Sequence, residues 1–562
     1  MIRTLKDSFV ECNGRERAEK LLDDGTYKEL LGPFDGIESP HLEPQGIVPQ
    51  SDDGVIIAKG TLNSQRVVVI SIEGNFQGGG IGEVSGAKIA GALERALKDC
   101  EAGIKTVPVL MFDTGGVRLQ EANYGLLSIA EIGAAIVALR RHVPVIAVIP
   151  GKIGAFGGMS ITAGLCSAII MTREGRLGLN GPEVIEQEAG IREFDSKDRQ
   201  LIWGTIGGNQ RTATGFADIL IEDYTEAVKE AVATIINGEV ILKARTEQVE
   251  RYQAFLNLIN PLQRLSPEKV QDLWSCSEKT IENKTEVVSE SEKSAGRGQV
   301  WFDLLRDDAV EIGDIPSVRV ADSMVGNTKI RYIAVVPDAQ SRFPRARKGE
   351  VGLQEGWSIA KHIRKAIAAD QDGEKRAIVA IVDVPSQAYG YHEELLGIHQ
   401  ACAAAVDAYA TARLAGHPVV SFIPGNAISG AFLSHGMQAN RLIALRDPGV
   451  NVHVMSKQSA ARITQRSLEE LETATKKVPA MAYDIESFEK LGALFSLVDR
   501  VEASAPERKD RDIIYKEIGQ AIEDVRLDGS TDLSGRLTSS IAQSGGRAAA
   551  ILVREKLFEQ WN

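Results

Sequence analysis

The sequence predicts an α/β fold with largely parallel sheets, repeated twice along the chain. Short apolar runs alternate with long amphipathic segments over residues 66–150, and the same alternation returns over residues 329–425. Because neighbouring strands separated by a helix need crossover connections, this alternation indicates parallel strand pairing. A polar run without apolar periodicity separates the two stretches and is typical of a linker.

The elements of the first stretch follow in order. We predict strands at "RVVVISI", "VPVLMFD" and "VPVIAVIP", joined by helices near 84–99 and 121–141. In the second stretch, strands are predicted at "KIRYIAVVPD", "RAIVAIVDVPS" and "HPVVSFIPG", with helices near 351–369 and 392–415. The predicted domains are therefore 1–274 and 298–562, with a linker at 275–297.

The two stretches also resemble one another in detail. Asp113 can be laid over Asp383, and the Pro-Gly pair at 150–151 over the pair at 424–425, each followed by a cluster of small residues. Any α/β chain repeats strands and helices, so patterning alone does not exclude chance. The shared "IPG" with its small-residue cluster favours an internal duplication.

Composition excludes several function classes. The formal net charge of −13 argues against a nucleic-acid binder, which needs a basic surface. The five cysteines lie far apart without CxxC spacing, so neither a metal site nor a disulfide framework is indicated. The N-terminal residues lack the apolar segment of a signal peptide, and no run of eighteen apolar residues occurs. We expect a cytoplasmic protein that does not interact with membranes.

Glycine clusters stand at four junctions between strands and helices. They are "QGGGIG" (77–82), "DTGG" (113–116), "GAFGG" (154–158) and "ISGAF" (428–432). A helix N-terminus carries unpaired N–H groups that attract an anion, and glycine lets a ligand approach the backbone closely. Close packing of helix on strand is the simpler explanation for any one glycine pair. A Walker loop is disfavoured because no cluster continues as GK[ST], and the repeated clusters argue against a dinucleotide fingerprint.

Side chains typical of catalysis are scarce near these clusters. The sequence contains no G-x-S-x-G elbow and no H-E-x-x-H motif. If the loops are catalytic, we expect backbone N–H groups to stabilise negative charge on a carbonyl oxygen.

Several longer segments are similar to a known family. "FQGGGIGEVSGAKI" (76–89), "TGGVRLQE" (114–121) and "GAFGGMSITAGLCSAIIMTREGRLGLNGPEVIEQ" (154–187) resemble the β half of acyl-CoA carboxyltransferases, and "HPVVSFIPGNAISGAFLSHGMQANRLIALRDPGVNVHVMSKQSAARI" (417–463) resembles the α half. Within that group, the chain most resembles the biotin-independent malonate decarboxylase family, with β- and γ-type halves fused.

The resemblance implies two tandem crotonase-like (ClpP/crotonase) carboxyltransferase domains with ββα superhelical repeats. It implies decarboxylation of a malonyl thioester to an acetyl thioester and CO2. The thioester would be carried on the phosphoribosyl-dephospho-CoA group of a partner acyl carrier protein, with no cofactor bound covalently to this chain. An acyl transferase (α) subunit and possible homo-oligomers are further implied partners.

Candidate site residues follow from the family positions. Two backbone oxyanion holes are predicted, and two further sets of residues are predicted to bind substrate. The holes are Gly157 with Gly158 and Gly430 with Ala431; the substrate-binding candidates are Gly79, Gly80, Gly115 and Gly116, together with Tyr391 and His435. The proton donor stays open among Tyr389, Tyr391, His392, His399, His435 and water, and His142 and His417 precede strands. Arg118 and Glu121 are expected to pair with each other.

Two alternatives remain at this stage. One is a biotin-dependent carboxyltransferase, which needs a biotinylated partner. The other is a scaffold without catalytic activity whose glycine loops only pack.

Overall fold

A computed structural model describes residues 7–277, 296–463, 467–477 and 481–562. The chain divides into two compact units. Unit 1 comprises the chain up to Arg245 together with Ser266–Asp272 and Ala549–Asn562, and unit 2 comprises Thr246–Leu265 and Leu273–Ala548. The predicted domains 1–274 and 298–562 differ from these units in the segments near 246–265 and at the C-terminus. Most of the predicted linker 275–297 lies outside the described residues.

Unit 1 is built on a seven-stranded sheet in the order β1-β2-β3-β4-β5-β6-β7. Its strands are β1 Lys28–Leu30, β2 Val55–Leu62, β3 Gln65–Ile72, β4 Val107–Met111, β5 Ile146–Ile149, β6 Ala168–Thr172 and β7 Ile219–Ile221. The strands β1, β2 and β3 pair antiparallel, and each later strand pairs parallel with the one before it. The strands β4, β5 and β6 are buried along their whole length, which explains their continuous apolar sequences.

Helices connect the strands of unit 1. They are α1 Gly14–Leu21, α2 Glu83–Glu101, α3 Ala122–Leu139, α4 Gly158–Leu165, α5 Pro182–Ala189, α6 Arg199–Ile206, α7 Gly208–Ala213 and α8 Thr225–Ile236. The stretch Leu119–Leu139 is long and apolar enough to cross a membrane, yet 89% of its most apolar window is buried in the structure. Burial of this kind is typical of a core helix.

Unit 2 repeats the same strand order. Its six-stranded sheet runs β15-β13-β11-β10-β9-β8, and a separate pair joins β12 to β14. The strands are β8 Val318–Val325, β9 Thr328–Val335, β10 Ala377–Ile381, β11 Val419–Ile423, β12 Asn426–Ile428, β13 Arg441–Leu445, β14 Asn451–His453 and β15 Ser496–Val498. The strands β8 and β9 pair antiparallel and the later strands of the sheet pair parallel, as the strands from β2 to β7 do in unit 1. The predicted α/β class with parallel strands is confirmed.

The remaining helices follow in chain order. They are α9 Val249–Asn257, α10 Pro267–Ser277, α11 Arg297–Arg306, α12 Leu353–Ala369, α13 Tyr391–Leu395, α14 Ile398–Leu414, α15 Ser429–Ser434, α16 Lys457–Ile463, α17 Leu468–Lys477, α18 Ile485–Glu489, α19 Arg508–Asp528, α20 Gly535–Thr538 and α21 Ala548–Gln560. The single helix predicted near 392–415 is wrong: it is divided into α13 and α14. Gly397 stands before α14 with a φ of +80°, which a right-handed helix does not accommodate.

The C-terminal helix α21 is anchored in unit 1 by polar contacts. Arg554 donates to both carboxylate oxygens of Glu94 at 2.9 Å and to Glu131 at 2.9 Å. The indole Nε1 of Trp561 donates to Asp99 at 3.0 Å. These partners precede the helix by more than 400 residues in sequence, which explains why the predicted boundary assigned the C-terminus to the second domain.

Replacing Arg554 by alanine should lower the free energy of unfolding of unit 1 by about 3 kcal/mol, since it leaves the buried Glu131 carboxylate without its guanidinium partner. Urea denaturation monitored by circular dichroism measures this change. Lys556→Ala is the matched control because Lys556 forms an exposed pair with Glu559, and the loss of that pair should cost under about 0.5 kcal/mol. Equal effects of the two substitutions would show that the Arg554 contacts do not stabilise unit 1.

Candidate active site

In unit 1, three glycine-containing loops meet at one end of the parallel sheet. They are residues 77–80, 113–117 and 154–158. Thr114 pairs with Ala155 in a parallel β-bridge, which holds the second and third loops side by side. A Cβ added at Gly116 would lie only 3.0 Å from the Cα of Gly157. The two backbones are therefore in direct contact.

The geometry of the first loop, residues 77–80, explains why three glycines follow one another there. Gly79 has a φ of +64°, and a Cβ added there would lie 2.1 Å from the carbonyl oxygen of Asp113. No side chain fits at that distance. The N–H of Gly115 also donates to Gly78 O at 2.9 Å. These glycines allow one loop to lie against the next.

Most amides of the predicted site residues already donate hydrogen bonds within the loops. The donors and acceptors are Gly79 to Phe76 O at 2.9 Å, Gly80 to Gln77 O at 3.1 Å, Gly115 to Gly78 O at 2.9 Å, Gly157 to Leu179 O at 3.0 Å, and Gly116 to Thr114 Oγ1 at 3.0 Å. The predicted oxyanion role of the Gly157 amide has no support in these contacts. Lining of a substrate channel by the other four glycines stays a prediction.

Two neighbouring amides are open. Gly158 is the first residue of α4, and Gly157 before it turns the chain with a φ of +56°. Within the described part of the chain, neither the Gly158 N–H nor the Val117 N–H donates a hydrogen bond. A Cβ added at Gly157 would lie 3.9 Å from the Val117 nitrogen, so the two amides belong to touching segments. Together they form a candidate oxyanion hole.

A buried ion cluster fixes the loop that carries Val117. The next residue, Arg118, donates through Nη1 to Asp53 at 2.6 Å and to Glu121 at 2.6 Å. All three side chains are almost completely buried. Burial alone lowers the pKa of Arg118, but the two carboxylates raise it overall, so the guanidinium stays charged. The expected pairing of Arg118 with Glu121 is present.

A histidine joins the same network. The Nε2 atom of His41 is hydrogen-bonded to Glu83, the first residue of α2, at 2.6 Å. The imidazole stacks on Tyr124 at 4.4 Å between ring centroids. Burial lowers the pKa of His41, but the contact with Glu83 outweighs it and raises the pKa above its ordinary value. The Glu83 N–H donates to Glu121 at 3.1 Å, so the histidine is linked to the Arg118 cluster.

The second unit contains a matching arrangement, which the β-bridges align. Val384 pairs with Ala427, as Thr114 pairs with Ala155 in unit 1. Two residues beyond Ala427, Ser429 has a φ of +62°. Ser429 therefore occupies the position that Gly157 has in unit 1.

It follows that Gly430 corresponds to Gly158. The predicted pair, Gly430 and Ala431, therefore lies one residue later in the chain than the true counterparts of Gly157 and Gly158. The segment from Asp113 to Gly157 and the segment from Asp383 to Ser429 differ in length. An alignment by sequence alone therefore does not reveal this shift of one residue. The Gly430 N–H donates to Gln387 Oε1 at 3.0 Å and is not open. Among the described residues, the Ala431 N–H has no hydrogen-bond acceptor, so its predicted role stays a prediction.

The two side chains predicted to bind substrate are engaged in the core of unit 2. The Tyr391 hydroxyl donates to Leu265 O at 2.8 Å, and the ring lies 4.2 Å from the Arg264 guanidinium. His435 is fully buried, with Nδ1 at 3.0 Å from Tyr409 Oη and Nε2 at 3.0 Å from Ile381 O. Burial lowers its pKa to about 4. These contacts are typical of structural residues, and substrate binding by either side chain stays a prediction.

The other proton-donor candidates are also packed against protein. His392 Nε2 accepts from the Leu265 N–H at 3.3 Å, and His417 Nδ1 lies 2.9 Å from Arg376 O. His399 is fully buried. These two contacts and the burial of His399 do not identify a donor. No group of side chains suited to a metal ion occurs in the part of the chain that the structure describes.

Sequence reasoning missed Val117, Ser429 and Gln387. Val117 directly follows the "TGG" motif, and this adjacency is the one sequence signal that could have indicated it. The conformation of Ser429 and the contact of Gln387 with Gly430 depend on tertiary structure, and no local pattern encodes them.

Comparisons with known proteins indicate the family to which this chain belongs. A family model described as the malonate decarboxylase gamma subunit matches residues 346–561, and a carboxyl transferase domain model matches residues 13–253. The chain is 39% identical over 281 residues to the malonyl-S-ACP:biotin-protein carboxyltransferase MADC of Malonomonas rubra, covering 48% of this chain and 88% of MADC. It is 38% identical over 197 residues to MADD of the same organism, covering 34% of this chain and 67% of MADD.

The chain belongs to the malonate decarboxylase family. It joins a carboxyl transferase segment and a γ-type segment in one polypeptide, as predicted. A crystal structure of a Pseudomonas malonate decarboxylase hetero-tetramer in complex with malonate is 53% identical, with a TM-score of 0.47, covering 48% of this chain and 98% of that chain. The MdcD-MdcE hetero-dimer from Pseudomonas is 51% identical, with a TM-score of 0.44, covering 48% of this chain and all of that chain (100%).

The contact of His41 with Glu83 should make stability depend on pH. Because the folded-state pKa of His41 is raised, its contribution is fully present below the unfolded pKa of about 6.5 and is lost as the pH rises through the folded value. The difference in urea midpoint between the native chain and His41→Gln should therefore be larger at pH 6 than at pH 8.5. The exposed His142 supplies the control, His142→Gln, which removes a histidine at the surface and leaves the contact of His41 with Glu83 in place. A His41→Gln difference that grows toward alkaline pH would contradict this interpretation.

Proposed function

We propose that this chain catalyses the decarboxylation of a malonyl thioester carried on an acyl carrier protein, releasing CO2 and leaving an acetyl thioester. Membership of the malonate decarboxylase family supports the decarboxylation. The names of the relatives MADC and MADD, which specify malonyl-S-ACP, support the carrier-bound substrate.

The open amides of Gly158 and Val117 are the observation that carries the proposal. As the bond to the carboxyl group breaks, its electron pair moves into the thioester and places negative charge on the carbonyl oxygen. Two neighbouring N–H donors, one of them at the start of α4, stabilise that charge more strongly than they stabilise the neutral thioester. A proton from water or from a protein group then converts the enolate to the acetyl product.

The partners follow from the same family. We propose that the thioester is attached to a phosphoribosyl-dephospho-CoA group on a separate acyl carrier protein, and that an acyl transferase subunit loads it with malonate. We propose a multisubunit assembly, and the formation of homo-oligomers stays a prediction. We further infer that both units are crotonase-like superhelices, which the matched strand orders and the β-bridges after the core strands support.

Biotin-dependent carboxyl transfer is the second candidate. The names of MADC and MADD include a biotin protein as the carboxyl acceptor. An oxyanion hole in unit 1 serves either reaction, because both pass through the same enolate. The fate of the carboxyl carbon distinguishes them.

The deciding experiment uses the purified full-length chain, malonyl-S-ACP labelled in the free carboxyl group, and a biotinylated acceptor protein. Release of labelled CO2 is measured with and without avidin, which sequesters biotin. Release that avidin does not affect supports decarboxylation without biotin. Release that avidin abolishes supports carboxyl transfer, and label that stays on the carrier under all conditions supports a scaffold.

Replacing Gly158 by proline removes one N–H donor, and proline is tolerated at the first position of a helix. We expect kcat for CO2 release to fall about 100-fold to 1,000-fold. Arg199→Pro is the matched control, since Arg199 is the first residue of α6 and is not part of the site. Circular dichroism verifies that both variants fold. A folded Gly158→Pro variant with unchanged kcat would exclude the Gly158 amide from the oxyanion hole.

A further inference from the structure

The side chain of Asp113 lies between the two loops of unit 1 that carry the open amides. Asp113 begins the loop 113–117, and its Oδ1 atom accepts a hydrogen bond from the N–H of Ile153 at 2.5 Å. Ile153 directly precedes the loop 154–158. Asp113 is 1% exposed, so water does not compete for this hydrogen bond. The carboxylate therefore joins the base of one loop to the base of the other.

A buried arginine holds the second oxygen of the same carboxylate. Arg17, in α1, donates through Nη1 to Asp113 Oδ2 at 3.0 Å, and both side chains are 1% exposed. Its Nε atom donates to Phe9 O at 3.2 Å, and its Nη2 atom donates to Val10 O at 2.7 Å. Asp113 thus faces a donor on each of its two oxygens. An asparagine cannot replace it fully, because its NH2 group would face one of these donors.

Unit 2 has an aspartate at the equivalent position. Asp383 directly precedes the β-bridge that aligns the two units, as Asp113 does in unit 1. Its two oxygens accept from the N–H groups of Asn426 and Gly298, each at 3.0 Å. A carboxylate that joins two segments therefore recurs in both units. The second donor is a guanidinium in unit 1 and a backbone N–H in unit 2.

We propose that Asp113 is a positioning residue that sets the distance between the open amides of Val117 and Gly158, and that Arg17 keeps its carboxylate in place. Asp113 is part of the loop that carries Val117, and the bonded Ile153 leads directly into the loop that carries Gly158. A displacement of about 1 Å in a catalytic site can cost about 100-fold in rate. The inference rests on the proposed function, because the distance matters for catalysis only if both amides bind one oxygen.

The test disturbs either partner of the carboxylate and uses a similar aspartate of unit 1 as the matched control. Asp113→Asn places an NH2 group against a donor, and Arg17→Met leaves the buried carboxylate without its cation. Arg17→Lys keeps a cation and is the conservative variant. The control is Asp218→Asn, because Asp218 also accepts from a backbone N–H, that of Ile169 at 2.7 Å, and from Arg245. Asp218 precedes β7 and so lies at the opposite end of the parallel strands from the loops.

Release of CO2 from malonyl-S-ACP gives kcat and KM for each variant that folds, as judged by circular dichroism. We expect kcat to fall about tenfold or more in Asp113→Asn and in Arg17→Met. KM should change less than about threefold, because the amides act on the charge of the transition state more than on the bound thioester. Arg17→Lys should recover most of the loss, and Asp218→Asn should keep the native kcat. Equal losses in the Asp113 and Asp218 variants, a loss in KM instead of kcat, or equal losses in the two Arg17 variants would overturn the proposal.

Hydrogen exchange measured by mass spectrometry without substrate tests the same contacts independently of turnover. The amides of residues 113–117 and 153–158 should exchange faster in Asp113→Asn or Arg17→Met, whichever folds, than in the native chain. Asp218→Asn should leave their exchange unchanged. Unchanged exchange in both loops of the Asp113 and Arg17 variants would overturn the proposal. CO2 release by the native chain tests the proposed function, so the two can fail separately.

Discussion

The close approach of one backbone to another is the constraint on which the site in unit 1 depends. At Gly79 and at Gly116, a Cβ would lie 2.1 Å and 3.0 Å from main-chain atoms of the neighbouring loop. Because these positions lack side chains, the loops can form a continuous layer of hydrogen-bonded backbone. In that layer, most N–H groups of the glycines already donate a hydrogen bond within the loops. The open amides of Val117 and Gly158 therefore stand out as donors for a ligand.

Buried ion pairs hold the loop that carries the Val117 N–H donor. Arg118 is held by Asp53 and Glu121 in surroundings almost free of water, where the loss of one partner leaves an unpaired charge. Glu121 also accepts from the Glu83 N–H at 3.1 Å and from Ser39 Oγ at 2.8 Å. One carboxylate thus connects the start of α2 with the loop that contains Val117 and holds that loop in place.

Much of the fold could be predicted from periodicity. The strands β3, β4 and β5 and their helices coincide with apolar and amphipathic runs, since burial on both faces or on one face leaves a direct pattern in the sequence. The break at Gly397 and the return of α21 to unit 1 could not be predicted in this way. The first depends on one left-handed residue inside an otherwise helical segment, and the second on contacts distant in sequence.

The candidate site could be predicted from the sequence less completely than the fold. The glycine clusters indicated which loops lie against one another, because glycine content reports where backbones approach. It does not report which N–H remains unbonded, and that distinction separates Gly158 from Gly157. Glycine content also does not show which residues of the two units correspond. The β-bridges place that correspondence one residue away from the sequence alignment.

The two units also show why equivalent backbones need not be equivalent sites. The same bridge, the same left-handed turn and the same helix start occur at Gly158 and at Gly430. One side chain, Val117 or Gln387, then determines whether the amide faces an acceptor of its own chain. A glutamine is a costly residue to bury unless both the carboxamide and its partner gain a hydrogen bond. The bond to Gly430 meets that requirement, so the Gly430 amide in unit 2 is closed, whereas the equivalent Gly158 amide in unit 1 is open.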